Sequence, residues 1–174
     1  MEAPVEHVYP VVNLLQVATL LREELEAALA SEQAVSLGEH DVMMQVLQHG
    51  PGVAMGDLAQ LVLFSQSGIT RLVDRLERKG LALREFSTQD RRVTYVSLTE
   101  AGRAKLEETM PLVRRVIGAR LSAHLSDADA ADLRRILLDL LRGNGWLDER
   151  QFSHRSTDDL QQTGSRTAVA RSPA

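Results

Sequence analysis

The chain contains no cysteine, and aromatic residues make up only 3% of its 174 positions. The lack of cysteine excludes disulfides, cysteine-ligated zinc and a thiol redox switch, while leaving the compartment undecided. The scarcity of aromatic residues means that the core must be aliphatic. No apolar run reaches the roughly 18 residues that a membrane helix needs, and the acidic start does not resemble a secretion signal. We therefore expect a soluble cytoplasmic protein with one domain and a tail.

Basic residues are scarce in the first part of the chain and concentrated in its middle. Residues 1–64 contain one basic residue, Arg22, against nine acidic ones, whereas residues 65–92 contain seven basic and four acidic residues. Because the whole chain has a net charge of −4, this segment is a local basic patch on an acidic body. Such a distribution is typical of a protein that reads DNA. The alternative is an ordinary solvated face.

Residues 65–79 have the pattern of a helix with one apolar and one polar face. The apolar stripe follows the i, i+3, i+4, i+7 spacing of a helix and consists of Ile69, Leu72, Val73 and Leu76. The other side presents Gln66, Ser67, Thr70, Arg71, Asp74 and Arg78, with Ser65 available as the N-cap. Arginine offers a bidentate fork to guanine, and small polar groups reach base edges or phosphates, so this face suits the DNA major groove. Asp74 either orients arginines or makes a structural ion pair.

A shorter helix precedes this stretch. Residues 53–55 read as an apolar link, and residues 57–63 as a short helix that crosses the following one at Ala59. Two helices joined by a tight turn predict a helix-turn-helix over about residues 56–79. Gly80 is expected to end the second helix in a left-handed conformation.

A β-hairpin is predicted directly after the second helix. Segments 81–86 and 93–98 are rich in Val, Tyr, Thr and Phe and flank a polar turn. A hairpin in this position is a wing, here over about residues 81–98. Its tip carries Arg91 and Arg92, and a narrow minor groove attracts arginine through its negative potential.

Helices are also predicted before this region. Pro10 suits the first turn of a helix over about residues 10–30, whose long apolar stripe requires a cover from the monomer or from a partner chain. Ser36 and Glu39 form a capping-box pattern at the start of a helix that runs to His49.

The C-terminal region is predicted to be helical up to a polar tail. Thr99 is a suitable N-cap, and Pro111 should kink or locally break the helix that follows. Ser126 resembles a second cap, and residues 133–141 form a strong apolar stripe. Residues 148–174 are polar and without periodicity, which predicts a disordered tail.

These motifs resemble the MarR family of bacterial transcription regulators. Residues 67–77 match the family's recognition-helix pattern SGxTRLxDRLE, and Gly80 and Leu81 follow as they do there. Residues 90–99 match the wing pattern D-x-R-x-x-x-V-x-L-T at every fixed position, and Gly102 completes LTxxG. The resemblance implies a mainly α fold with a small β-wing, in which dimerisation helices flank a winged helix-turn-helix lobe.

The resemblance also implies an assembly. Residues 1–147 would form the DNA-binding and dimerisation domain, with the helices at about 10–30 and 100–142 interlocking in a homodimer. Two lobes about one DNA turn (~34–36 Å) apart would then read a pseudo-palindromic operator on double-stranded DNA. The implied function is transcription regulation rather than catalysis, most simply as a repressor that a small aromatic or anionic ligand releases.

Individual roles follow from the same resemblance. The predicted DNA-binding residues are Ser65, Gln66, Ser67, Thr70, Arg71, Arg75, Arg91 and Arg92, of which Ser65 and Arg75 position the backbone and Arg92 enters the minor groove. Arg91 contacts a base edge or, alternatively, a phosphate or solvent. Asp90 is predicted to stabilise the tip of the wing, for example by pairing with an arginine on the lobe.

A ligand pocket is implied between the dimer core and the lobe, with walls from residues 11–30, 37–49 and 100–121. Candidate lining residues are His40, Met43 and Met44. The alternative is that the methionines fill the core and that His40 is a surface residue or a satisfied core residue.

Two other functions were weighed. A metal-responsive regulator would use the five histidines, but these show no HxxxH or HExxH pair. A winged helix used only for protein contact would have no need of the arginine pair at the wing tip. No catalytic motif or phosphate-binding glycine loop is present, and we expect neither cofactor nor metal.

Overall fold

The computed structural model describes residues 4–50, 52–62, 68–87, 90 and 92–145. The helices are α1 (Val5–Gln33), α2 (Leu37–His49), α3 (Met55–Leu61), α4 (Ile69–Arg78), α5 (Glu100–Ile117) and α6 (Asp127–Gly143), with a π-helical turn at Gly118–Ser122. The strands are β1 (Val53–Ala54), β2 (Ala82–Phe86) and β3 (Thr94–Leu98). This arrangement confirms the predicted mainly α fold with a small β-wing. The predicted tail, residues 148–174, lies outside the described residues.

The three strands form one antiparallel sheet in the order β1-β3-β2. Strands β2 and β3 make the predicted hairpin, with Ala82 opposite Leu98. Strand β1 pairs with the other edge of β3, with Val53 opposite Val96. This segment is therefore a strand and not the predicted apolar link. Two residues are too short to show the alternation of a strand, so the sequence pattern did not indicate it.

Aliphatic side chains fill the lobe formed by α2, α3, α4, the sheet and the start of α5. Val42 from α2, Val73 from α4 and Val96 from β3 are completely buried. The apolar stripe predicted for α4 is buried or partly buried in this core, as Ile69, Leu72, Val73 and Leu76. The prediction of its inward face is confirmed.

Capping groups fix the helix ends around this core. Ser36 and Glu39 form the predicted capping box at the start of α2. Ser126 and Asp129 form a second one at the start of α6. Thr99 caps α5 by accepting a hydrogen bond from the amide of Gly102. These local predictions are confirmed.

The junction between α4 and the wing leaves no room for an extra carbon atom. Gly80 has the expected left-handed φ of 70°, and the amide of Leu81 donates to the carbonyl of Leu76 at 2.8 Å, as in a Schellman motif. The carbonyl of Leu81 also accepts from the amide of Thr99 at 3.1 Å. A Cβ on Gly102 would lie 2.0 Å from the same oxygen, so only glycine fits there.

Three helices differ from the predictions, two in their bounds and one in its continuity. Helix α1 begins at Val5, so Pro10 lies inside it and not in its first turn. Helix α3 spans Met55–Leu61 instead of residues 57–63. Helix α5 continues through Pro111, so of the two predicted outcomes the local break is wrong, whereas the kink stays a prediction. Pro111 is exposed, and solvent can therefore satisfy the carbonyl that loses its helical partner there.

The two terminal helices contrast with the lobe. The C-terminal part of α1 packs on α2 and α5 through Leu29, Leu37 and Leu112. The rest of α1 and most of α6 expose large apolar side chains, among them Leu15 at 62% and Ile136 at 46%. No helix in the described part of the chain combines the length and apolarity that crossing a bilayer requires.

Candidate nucleic-acid interface

Helix α4 buries one face in the lobe and exposes the other. Thr70 and Arg71 lie on the exposed side, at the N-terminal end of the helix. Within the described residues, the guanidinium of Arg71 has no hydrogen-bond or ion-pair partner. It is therefore available to bind an acceptor outside the chain.

An arginine on the wing clamps this helix from one side. Arg84, on β2, places Nη1 2.5 Å from Asp74 Oδ1 and 2.6 Å from Glu77 Oε2. Its Nη2 donates to the carbonyl oxygen of Thr70 at 3.0 Å. Asp74 is thus part of an ion pair with the wing, which agrees with the structural alternative weighed for it.

A carboxylate on α2 clamps the same helix from the other side. Glu39 Oε1 lies 3.1 Å from Arg75 Nε, and Glu39 Oε2 lies 2.7 Å from Lys79 Nζ. Arg75, predicted to position the DNA backbone, therefore already has a carboxylate partner within the chain. The Glu39 side chain is only 2% exposed, so the carboxylate is held between α2 and α4.

The wing is closed by local hydrogen bonds. The amide of Ser87 donates to the carbonyl of Val93 at 2.9 Å. Asp90 Oδ1 accepts from the amide of Arg92 at 2.9 Å, and the amide of Asp90 donates to Ser87 Oγ at 3.2 Å. Among the described residues, Asp90 therefore bonds to the backbone of the turn and not to an arginine. The side chain of Arg92 is exposed and has no partner in that part of the chain.

Four predicted DNA-binding residues lie outside the described residues: Ser65, Gln66, Ser67 and Arg91. Their assignment stays a prediction. Of the other predicted residues, Thr70, Arg71 and Arg75 lie on α4 and Arg92 lies in the turn of the wing.

Sequence patterns did not indicate the contacts of Arg84 and Glu39 or the exposure of Phe86. The ten-residue spacing between Asp74 and Arg84 carries no signal of a contact, although strand alternation places Arg84 on the same sheet face as buried Ala82. Glu39 was recognised as a cap, but its partners lie 36 and 40 residues further on. Phe86 is 73% exposed at the end of β2, next to the turn that carries Arg92.

The candidate ligand residues on α2 differ in their surroundings. Met43 is completely buried in the lobe core, and Met44 packs against that core. His40 is 7% exposed, and its Nε2 has no partner among the described residues. Burial lowers the pKa of His40 to about 4, so the imidazole is neutral near pH 7.

A cavity of about 380 Å³ lies between α1 and α2 and is lined by Arg22, Glu23, Glu26, Ala27, Leu37 and Gly38. It is formed by two of the three helices predicted to wall a ligand pocket. Within the described residues, no three histidine or carboxylate side chains come together in a manner suited to a metal ion.

The chain is similar in sequence to known proteins. A family model described as the MarR family matches residues 35–93. The chain is 31% identical over 120 residues to the HTH-type transcriptional repressor MdtR of Bacillus subtilis (strain 168), covering 69% of this chain and 76% of the relative.

Two solved structures show the same fold. Sco3205, a MarR family transcriptional regulator from Streptomyces coelicolor in complex with DNA, has a TM-score of 0.74 at 21% identity, with 82% of this chain and 90% of that chain covered. CouR from Rhodococcus jostii RHA1, bound to p-coumaroyl-CoA, has a TM-score of 0.63 at 24% identity, with 73% and 87% covered. With its matching recognition helix and wing, the chain belongs to the MarR family of DNA-binding transcriptional regulators.

Proposed function

We propose that this protein is a homodimeric, sequence-specific repressor that a small aromatic or anionic ligand releases from DNA. The observation that carries the proposal is the pair of exposed guanidinium groups, Arg71 on α4 and Arg92 on the wing, that have no partner in the described part of the chain. The charge of the whole chain is −4, so a duplex would be bound through local cationic groups such as these two and not through the net charge. A regulator of this kind would act on cytoplasmic DNA.

The roles within each lobe follow from the exposed face of α4. Arg71, with Thr70 beside it, reads base edges in the major groove. Arg92 enters the adjacent minor groove. Asp90 holds the turn that presents Arg92, through its bond to the Arg92 amide. Ser65, Gln66, Ser67 and Arg91 complete the set as the sequence predicts, whereas Arg75 is left out because Glu39 already binds it.

The wing presents an aromatic ring together with its cation. Phe86 projects from β2 on the same sheet face as Arg84, which is the face turned towards α4. Two residues along a strand correspond to about 7 Å, so Phe86 follows Arg84 towards the turn of the wing. An exposed ring in this place can contact DNA beside Arg92, and apolar side chains of minor-groove binders insert between base steps.

The dimer is supported by the apolar side chains on the terminal helices. On α1 the exposed large residues are Val5, Val8, Tyr9, Val11, Val12, Leu14, Leu15, Val17 and Leu20, and on α6 they are Leu133, Ile136 and Leu140. Exposed large apolar side chains in this number are typical of an interaction site. A second copy of the chain offers a self-complementary partner with two-fold symmetry.

The ligand is supported by the cavity between α1 and α2 and by the likeness to CouR, a protein of this fold bound to p-coumaroyl-CoA. The predicted residues His40, Met43 and Met44 lie on α2 but are not among the residues that line this cavity, and Met43 is completely buried in the lobe core. A ligand that prefers the conformation unable to bind DNA shifts the population towards it and releases the operator.

The proposal is tested with a duplex that the parent protein selects from a random library. Arg71→Ala and Arg92→Ala should each weaken binding by about 1–3 kcal/mol, and Arg71→Ala should also relax base choice. Arg103→Ala removes an exposed arginine of α5 and should leave the affinity unchanged. Binding by Arg71→Ala and Arg92→Ala as tight as that of the parent would contradict the proposal.

A further inference from the structure

We propose that Glu39 is a specificity-determining residue, which holds Arg75 and Lys79 of the recognition helix away from DNA phosphates. The proposal rests on the use of α4 to read DNA. It states which basic side chains of that helix are bound to the lobe and which remain to bind DNA.

The three side chains that make these contacts differ in their exposure. The Glu39 side chain is 2% exposed, whereas those of Arg75 and Lys79 are 41% and 37% exposed. The carboxylate is therefore fixed inside the lobe, and the two cations reach it from the solvent-facing side of α4. Without that anchor, both cations have room to turn to a neighbouring phosphate.

The carboxylate is itself held in place by α2. Glu39 Oε2 accepts from the amide of Ser36 at 2.8 Å, and the amide of Glu39 donates to Ser36 Oγ at 3.1 Å. Lys79 Nζ also donates to the carbonyl of Ala34 at 2.8 Å. The cations are thus tied to the joint between α1 and α2 and not to a mobile surface group.

Glu39 stays charged near neutral pH. Burial raises its pKa, but hydrogen bonds from Lys79, the Ser36 amide and Arg75 more than offset this and hold the pKa below its usual value. The single negative charge of this carboxylate offsets half of the positive charge of Arg75 and Lys79. The pairing also avoids the cost of an unpaired buried charge.

The division of charge has a consequence for DNA binding. Each phosphate contact releases counterions and contributes about 0.9 to the slope of log affinity against log salt. Such contacts stabilise every sequence equally, whereas base contacts discriminate. By restraining two cations, Glu39 limits non-specific binding and leaves discrimination to Arg71, which has no partner among the described residues.

Glu39→Gln tests the proposal directly. The amide oxygen of glutamine can still accept from Ser36 and preserve the helix cap, but the charge that restrains the cations is lost. We expect the salt slope for a random duplex to steepen by about 1–2, and non-specific affinity to rise at least about fivefold at low salt. The ratio of specific to non-specific affinity should fall. Glu107→Gln makes the same charge change at an exposed position on α5 and should alter neither quantity.

Second variants show whether Glu39 acts through its partners. Adding Arg75→Gln and Lys79→Gln to Glu39→Gln should return the slope to the parent value. In the parent background, Arg75→Gln and Lys79→Gln should each change the slope by less than about half a unit, whereas loss of a phosphate contact would reduce it by about 0.9. This comparison does not require Glu39→Gln to fold.

Two results would overturn the proposal. One is that Glu39→Gln lowers the melting temperature but leaves the salt slope and the specificity ratio unchanged, as a purely structural residue would. The other is that Arg75→Gln in the parent background reduces the slope by about 0.9, as the loss of a phosphate contact would. A parent protein that binds no duplex at all would instead overturn the proposed repressor function, so the two failures are distinguishable.

Discussion

The lobe and the terminal helices use the same aliphatic residue types in opposite ways. In the lobe, Val42, Val73 and Val96 are 0% exposed, whereas Val5 on α1 is 65% exposed and Leu140 on α6 is 50% exposed. Burial of an aliphatic side chain contributes about 1.5–3 kcal/mol. The lobe therefore obtains this contribution within one chain, whereas the large apolar side chains of the terminal helices stay mostly exposed in the single chain and would obtain it in the proposed dimer.

The ion pairs of the lobe also contain more deeply buried side chains than those of the terminal helices. Glu39 and Arg84, which clamp α4, have side chains that are 2% and 21% exposed. The pairs that tie α1 to the C-terminal part of the chain, Arg115 to Glu32 and Arg120 to Glu24, join exposed groups. Pairs of the exposed kind contribute at most about 1 kcal/mol. The ion pairs of the lobe therefore contain the more buried charges, and in the proposed dimer the placement of two lobes would depend mainly on the apolar surfaces of the terminal helices.

The largest effect is expected from a charge on the exposed face of α1. Leu15→Glu would bury a carboxylate in the proposed dimer interface, which is costly without a partner. Sedimentation velocity at micromolar concentration should show monomer, and DNA affinity should fall by more than about 100-fold because two lobes no longer act together. Gln60→Glu adds the same charge at an exposed position on α3, in the lobe, and should leave a dimer. A Leu15→Glu protein that remains dimeric would refute the contrast between the two regions.

Within the lobe, the largest loss of stability is expected from a substitution at Gly102. Gly102→Ala places a carbon 2.0 Å from the carbonyl oxygen of Leu81, and the backbone must move. Overpacking of this severity should cost about 3 kcal/mol, or roughly 10 °C in melting temperature. Gly56→Ala is the control, because a Cβ there meets nothing within 4 Å and alanine favours a helix. Equal melting temperatures for the two variants would show that the close approach does not constrain the lobe.

A smaller effect is expected from pH. The pKa of His40 is lowered from 6.5 to about 4 by burial, so between these values the unfolded chain binds a proton that the folded chain does not. Stability should therefore fall by about 2 kcal/mol from pH 7.5 to pH 5 on account of this group.

The pH effect is measured by urea unfolding at fixed protein concentration, with two variants. His40→Leu should reduce the difference in unfolding free energy between pH 7.5 and pH 5, whereas His124→Gln, at an exposed position on the chain, should leave it intact. An unchanged pH dependence in His40→Leu would mean that the imidazole is not the titrating group.

The parts of the fold that sequence predicted best are set by local interactions. The caps at Ser36, Thr99 and Ser126 depend on residues three positions apart, and the stripe of α4 depends on helical periodicity. Strand β1 was missed because its two residues become a strand only by pairing with β3, some 40 residues away along the chain.

The candidate site divides in the same way. The exposed Arg71 and Arg92 follow from position on a helix and in a turn. The restraint of Arg75 by Glu39 depends on packing between α2 and α4 and spans 36 residues, so that no local pattern indicates it. Sequence therefore identified the cations, and only the packed lobe distinguishes those that are engaged from those that are available.

The most direct test is the composition of the protein–DNA complex. Native mass spectrometry of the full chain with its library-selected duplex should show two chains, twice the 19.2 kDa chain mass, on one duplex, and no one-chain complex at comparable abundance. A complex of one chain per duplex, formed with the same affinity, would contradict the assignment of the terminal helices to a dimer that places two arginine-bearing lobes on DNA.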